Sequence, residues 1–266
     1  MMKKRNAILV CTLILAFVFT MQLPAQEIKG GVVTYEQTTR YNFNEMFNIG
    51  PEDTRHQDFF ANLPQQSAKT LRLKFINDEA LFEPDPEADN ALSPGLTRVL
   101  SRAEYIRPPQ MEINQIYWNL TKEESVREII FMTREFVVTG EVEKHPWKLQ
   151  QKQTKILEFI CTAAEMQEGE DTILAWFTPQ IPVSLGPAHY TGLPGLVLAV
   201  EVNGVTVFLA KSVTLTPPSE GEINPPDKGK EMSREAFDQM VAEKLEEWEK
   251  TREANRRRNQ EAVHRR

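Results

Sequence analysis

A mainly β fold, an antiparallel sheet followed by a C-terminal α-helix, is what three features of this 266-residue sequence predict. Leu71, Leu73 and Phe75 alternate with Arg72 and Lys74, the period of two of a strand with one buried face. Asn203-Gly204 separates two valine-rich runs, and a two-residue hairpin turn of type I′ needs positive φ at both central positions. Near the C-terminus Phe237, Met240, Val241, Leu245 and Trp248 fall on one helical stripe. With 41% hydrophobic and 26% charged residues the chain can bury a core, which excludes a disordered protein.

The N-terminus has a different character. Lys3, Lys4 and Arg5 precede an apolar run over residues 7–21 that ends at Leu23-Pro24-Ala25, the layout of a secretory signal peptide over residues 1–25. About 15 apolar residues fall short of the roughly 20 that a spanning helix needs. Cys11 lies inside the run, which continues past it, so removal of the segment is preferred to lipidation of that cysteine. The expected mature chain keeps 28 basic against 38 acidic residues, a balance of −10, which argues against nucleic-acid binding. It also keeps one thiol, Cys161, so no disulfide within the chain is expected.

Residues 26–215 are expected to form the β domain. Residues 31–40 open it as a strand, 41–68 read as a loop with at most a short helix, and Ala80-Leu81-Phe82 returns against Leu71 to Phe75 across Asn77-Asp78. Five prolines and a run of acids make residues 83–110 an exposed excursion. Residues 112–120 and 128–139 read as two further strands, and residues 155–164 and 172–178 as an antiparallel pair. In the Asn203-Gly204 hairpin, a two-residue turn places Val202 opposite Val205, Val200 opposite Val207 and Leu198 opposite Leu209, an aliphatic face assigned to the core. The other face, with Val197, Ala199 and Glu201 opposite Ala210, Phe208 and Thr206, is then the side available for function. Residues 216–232 form a Pro/Gly-rich linker, and residues 233–266 a charged helix capped by Ser233 and ending in a basic tail.

Chemical motifs are scarce. No HExxH, CxxC, EF-hand, Walker, GxGxxG or Gly-x-Ser-x-Gly pattern occurs, and His56, His145, His189 and His264 have no partner at metal-ligand spacing. No catalytic residue, metal or cofactor is therefore assigned. Cys161 with His189 is a thiol pair on paper only, since Cys161 sits beside Phe159 and Ile160 in an alternating strand. The basic tail, with Arg252, Arg256, Arg257 and Arg258, suits a solvated helix end and also a peripheral contact with an anionic membrane.

The dense feature lies between Trp176 and Leu198, where Pro179, Pro182, Pro187 and Pro194 alternate with Gly186, Gly192 and Gly195 among large apolar groups. Prolines restrict the backbone and glycines permit close approach, so the segment is a rigid, shaped loop from which Tyr190 and Leu193 reach inward. Within it Gly192, Leu193, Pro194, Gly195, Leu196 and Val197 resemble the signature of the GLPGLI family, with valine for the final isoleucine. The likeness extends to Thr154-Lys155-Ile156, Cys161 and Ala163, Trp176-Phe177-Thr178, Ile181-Pro182, Gly186-Pro187 and Tyr190. The resemblance implies an exported protein of Gram-negative bacteria, periplasmic or outer-membrane associated, of a family without an assigned reaction. Fold analogy adds a curved, half-barrel-like sheet.

Together these readings favour a non-enzymatic envelope module that carries an apolar ligand or binds an envelope protein, with Trp176, Tyr190, Leu193 and Phe208 near its mouth. The alternatives are a hydrolase built on scattered acids such as Glu141, Glu143 and Asp171, and an interaction protein that docks through its C-terminal helix.

Overall fold

The computed structural model describes residues 28–104 and 106–264, so the expected signal segment, Cys11 included, lies outside the described residues. Twelve strands of the described residues form one sheet: β1 (Gly30–Arg40), β2 (Gln66–Ile76), β3 (Glu79–Pro84), β4 (Met111–Asn119), β5 (Glu124–Phe131), β6 (Arg134–Glu141), β7 (Lys148–Ile156), β8 (Phe159–Glu168), β9 (Asp171–Thr178), β10 (Leu196–Val202), β11 (Thr206–Thr214) and β12 (Lys230–Ser233). Their order is β12-β6-β5-β4-β3-β2-β1-β11-β10-β9-β8-β7, and the sheet does not close into a barrel. Neighbours are antiparallel except β12, which runs parallel to β6.

That order dictates curvature. β6 is second from one edge and β7 is the opposite edge, ten strand spacings away, or about 48 Å across a flat sheet. The chain makes the crossing between Glu141 and Lys148, a reach of about 25 Å at most. The sheet must therefore curl until β6 and β7 come within that reach, without closing into a barrel. One buried cluster accordingly joins Tyr35, Leu73, Phe82 and Trp118 from one flank with Ala164, Ala175, Val200 and Phe208 from the other.

Among the described residues four helices complete the fold: α1 (Phe43–Met46), α2 (Thr54–Ala61), α3 (Pro94–Glu104) and α4 (Arg234–His264). The first three form a satellite core around Phe43, Phe60, Leu96 and Val99, in which Phe43 stacks on Phe60 at 5.5 Å. α3 corrects the expected exposed excursion. Ser93 caps it through the Leu96 amide, Pro94 occupies the first turn, and Leu96, Val99 and Ala103 are buried. Residues 41–68 likewise hold two helices and the start of β2 rather than a loop.

Two expected single strands are each folded into a hairpin. The 128–139 segment turns at Met132-Thr133, with φ of 48° and 65°, and the 155–164 segment turns at Leu157, with φ of 53°. Neither turn contains the glycine, asparagine or proline that normally marks one.

The Asn203-Gly204 hairpin exists, with φ of 50° and 67°, but its register differs by one residue. Val202 pairs with Thr206, Val200 with Phe208 and Ala199 with Leu209, leaving Val205 in the loop. A one-residue slip exchanges the two faces of β11. Phe208 and Ala210 are therefore buried, and Leu209 and Val205 are exposed.

The expected linker contributes β12, and Ser233 caps α4 through the Ala236 amide at 3.3 Å. Phe237 lies edge-on to Phe136 at 5.3 Å and to Phe131 at 6.4 Å, with Val241 buried beside them. Beyond Trp248, which carries Arg252 over its ring at 5.0 Å, the helix side chains are exposed where described. Removing residues 251–266 should thus change unfolding stability by less than about 1 kcal/mol. A larger loss in a chemical melt would reveal buried contacts beyond Trp248.

Candidate functional site

The four residues expected at one mouth lie on two sides of the sheet. Tyr190, Leu193 and Phe208 belong to the interior cluster, Leu193 at 1% exposure, and the Tyr190 and Phe208 rings meet edge-on at 6.3 Å. Trp176 pairs with Ala163 and Ala199, so strand alternation puts it on the face opposite Ile173, Ala175 and Phe177, where it is partly buried and still packs against the margin of the same cluster.

The Pro/Gly loop leaves β9 at Thr178, folds across the concave side and re-enters at β10. The Leu196 amide donates to the Ile181 carbonyl at 2.9 Å and the Val197 amide to the Leu185 carbonyl at 2.9 Å, so the loop is stitched to the strand it precedes. The buried Tyr35 hydroxyl donates to the Val197 carbonyl at 2.6 Å, and burial raises its pKa. Gly192-Leu193-Pro194-Gly195 is thus a bend that seats Leu193 and starts β10.

The crossover 142–147 is strapped to this loop. His145 Nε2 lies 2.8 Å from the His189 carbonyl, and the Trp147 indole donates to the Thr191 carbonyl at 2.8 Å. At its other end Glu143 Oε1 meets Arg127 of β5 at 3.0 Å and Arg234 of α4 at 2.7 Å. Burial alone would raise the Glu143 carboxyl, but the Arg127 hydrogen bond and charge, with His189 and Arg234, pull its pKa down to about 2. His189 pairs with Glu168 at 3.1 Å and lowers that carboxyl as well. Of the three acids considered for hydrolysis, Glu143 is held by arginines, Asp171 accepts from Asn203, and Glu141 lies exposed at the end of β6. Cys161 is fully buried, and desolvation pushes its thiol up to about 11, a thiol rather than a nucleophilic thiolate at neutral pH. Among the described residues no group of three or more His, Cys, Asp or Glu is placed to hold a metal.

An open site occurs elsewhere on the concave face. A cleft of about 310 Å³ lies between β1, β2 and α3. Its floor is Gln37, Thr39, Ser67 and Lys69, which by alternation share the face of Tyr35 and Leu71. Its wall is one face of α3: Thr97, Leu100, Ser101 and Glu104 follow i, i+3, i+4, i+7 spacing. Tyr41, stacked on Phe43 at 5.6 Å, and Glu112 close the ends. Lys69 is neutralised by Glu112 at 2.8 Å, and the Tyr41 and Ser67 hydroxyls bond at 2.7 Å. Gln37, Thr39, Ser101 and Glu104 have no side-chain partner among the described residues.

Sequence reasoning missed this cleft because it set aside the segment that forms its wall. The available signal was Ser93-Pro94 followed by Leu96, Val99, Leu100 and Ala103, a helix start with an apolar stripe.

The sequence profile of a family described as "Protein of unknown function (Porph_ging)" matches residues 163–199, a stretch that contains the hexapeptide. No curated protein matches this chain. Two solved structures, described as PNGF-II in P21 and in C2 space groups, each align at a TM-score of 0.49, with 16% and 15% sequence identity. Each alignment covers 81% of this chain, but the chain spans only about a third of their length, 34% and 33%.

Proposed function

We propose that this is an exported cell-envelope protein of the GLPGLI type, a non-enzymatic binding module whose ligand sits in the cleft beneath α3. The observation that carries this reading is the set of four unpaired polar side chains, Gln37, Thr39, Ser101 and Glu104, facing one cleft. Strand and helix backbones hold them in place, so a ligand loses little to ordering of the site on binding. Tyr190, Leu193 and Phe208 are buried in the core, so the ligand of this reading is polar and sits in the cleft, not an apolar one in the interior. In this reading the Pro/Gly loop is scaffold, and the export expected from residues 1–25 places the module in the periplasm or at the outer membrane.

Native mass spectrometry of the protein recovered from its cells tests the reading. Wild type should carry an added mass, and Ser101→Trp, which fills the cleft from an exposed helix position, should lose it with an unchanged melt. A ligand-free wild-type mass, or an adduct that survives Ser101→Trp, overturns the assignment.

A further inference from the structure

Resting on that reading, we propose that the ligand class is a neutral saccharide. The charges in the cleft set the first limit. Glu104 and Glu112 would repel an anion, while Lys69, already paired with Glu112, stands against a cation placed beside Glu104.

The ligand must then be neutral and able both to donate and to accept. The Glu104 carboxylate needs a donor, whereas the Thr39 and Ser101 hydroxyls and the Gln37 amide do both. Vicinal hydroxyls of a sugar ring meet all four demands within a small volume. The apolar face of such a ring finds Tyr41, Leu92 and Leu100 around the same cleft.

A neutral extended peptide has the same donor and acceptor balance, but β1 gives it no edge, and β2 leaves one only over the short stretch 66–69, before its ladder with β3 begins at Leu71. β1 is paired on both sides, with β2 and β11, over the residues that floor the cleft, so its backbone groups are engaged in the sheet. Over β1 recognition is by side chains, and the tetrapeptide probe tests the open stretch of β2. The remaining half-buried polar groups would stay dry and unpaired under an apolar ligand, which is unfavourable.

Backbone amide shifts of the full-length protein, titrated separately with several probes, test the proposal. The probes are cellobiose, maltose, mannobiose and chitobiose as neutral sugars, sialyllactose as an anion, spermidine as a cation, and a neutral tetrapeptide. At least one neutral disaccharide should move the amides of Gln37, Thr39, Ser101 and Glu104 together. Glu104→Gln should weaken that binding roughly tenfold, the loss of one hydrogen bond to a charged group, with an unchanged melt. Cleft shifts with the peptide or a charged probe alone overturn the saccharide class and leave the binding module standing. No cleft shift with any probe overturns the saccharide class too, and the binding-module reading then stands or falls on the mass of the cell-recovered protein. Binding that Glu104→Gln leaves unaltered also defeats the proposal, since the free carboxylate is central to it.

Discussion

Gly195→Ala is expected to remove about 3 kcal/mol or more of stability, whereas Gly192→Ala, three residues away, should remove about 1 kcal/mol. Both glycines have positive φ, +151° at Gly195 and +87° at Gly192, so either alanine carries backbone strain. The space around them separates the two. A Cβ on Gly192 meets nothing within 4 Å. On Gly195 it would collide with the Thr178 carbonyl oxygen and lie 2.6 Å from its carbon and 2.9 Å from Pro179 Cα. Those are backbone atoms, and Thr178 is fully buried and paired with Leu196 in the β9–β10 ladder. Relief would require β10 to move away from β9 where the Pro/Gly loop begins and ends. Urea melts of the two variants beside wild type measure the difference. Equal, small shifts would mean that the hexapeptide is kept for contacts with a ligand or partner instead of for this bend.

The bend was legible in the sequence because proline and glycine act locally. So were the Leu71, Leu73, Phe75 strand and the start of α4, where one buried face repeats at a fixed period. The register of β10 and β11 was not. Both faces of β11 are apolar enough to be core, Val207 and Leu209 on one and Phe208 and Ala210 on the other, so the pattern could not choose between them. In the observed register Val205 stays in the loop and its carbonyl accepts from the Arg40 amide of β1, a contact between distant segments. The turns at Met132-Thr133 and Leu157 were hidden for a related reason: tertiary pairing on both sides imposes a positive φ that the residues themselves do not favour. Most of the cleft was invisible because its floor comes from the β1–β2 ladder and its wall from α3, which packs with α1 and α2, segments far apart in the sequence. The curl of the sheet was hidden too, since it follows from the short crossover between β6 and β7, whose meaning depends on strand order.

That crossover supplies the second large effect. Glu143→Gln should lower stability by about 3 kcal/mol at pH 7, and the deficit should shrink as the solution is acidified. Arg127 lies on β5 with its side chain 5% exposed, and its Nε has no partner, so Glu143 is the group that compensates its charge. Replacing the carboxylate by an amide leaves a buried guanidinium facing a neutral group, the costly half of a broken pair. The sign of the pH dependence follows from the direction of the shift. The Glu143 pKa is lowered from 4.5 to about 2 in the folded protein. Its contribution is therefore complete above the unfolded value near 4.5 and is lost as pH falls through the folded value near 2, where half of the wild-type side chains are already protonated. A shift of that size corresponds to about 3 kcal/mol, in line with the cost of the substitution. Glu168, which the Glu143 charge raises, shifts with the substitution, so the difference between wild-type and Glu143→Gln unfolding free energies, measured in urea from pH 7 to 2.5, reports Glu143 together with that coupling. A gap that stays constant over that range would mean that Glu143 acts by shape and not by charge, and that the strap between β6 and β7 is held by Trp147 and His145 alone.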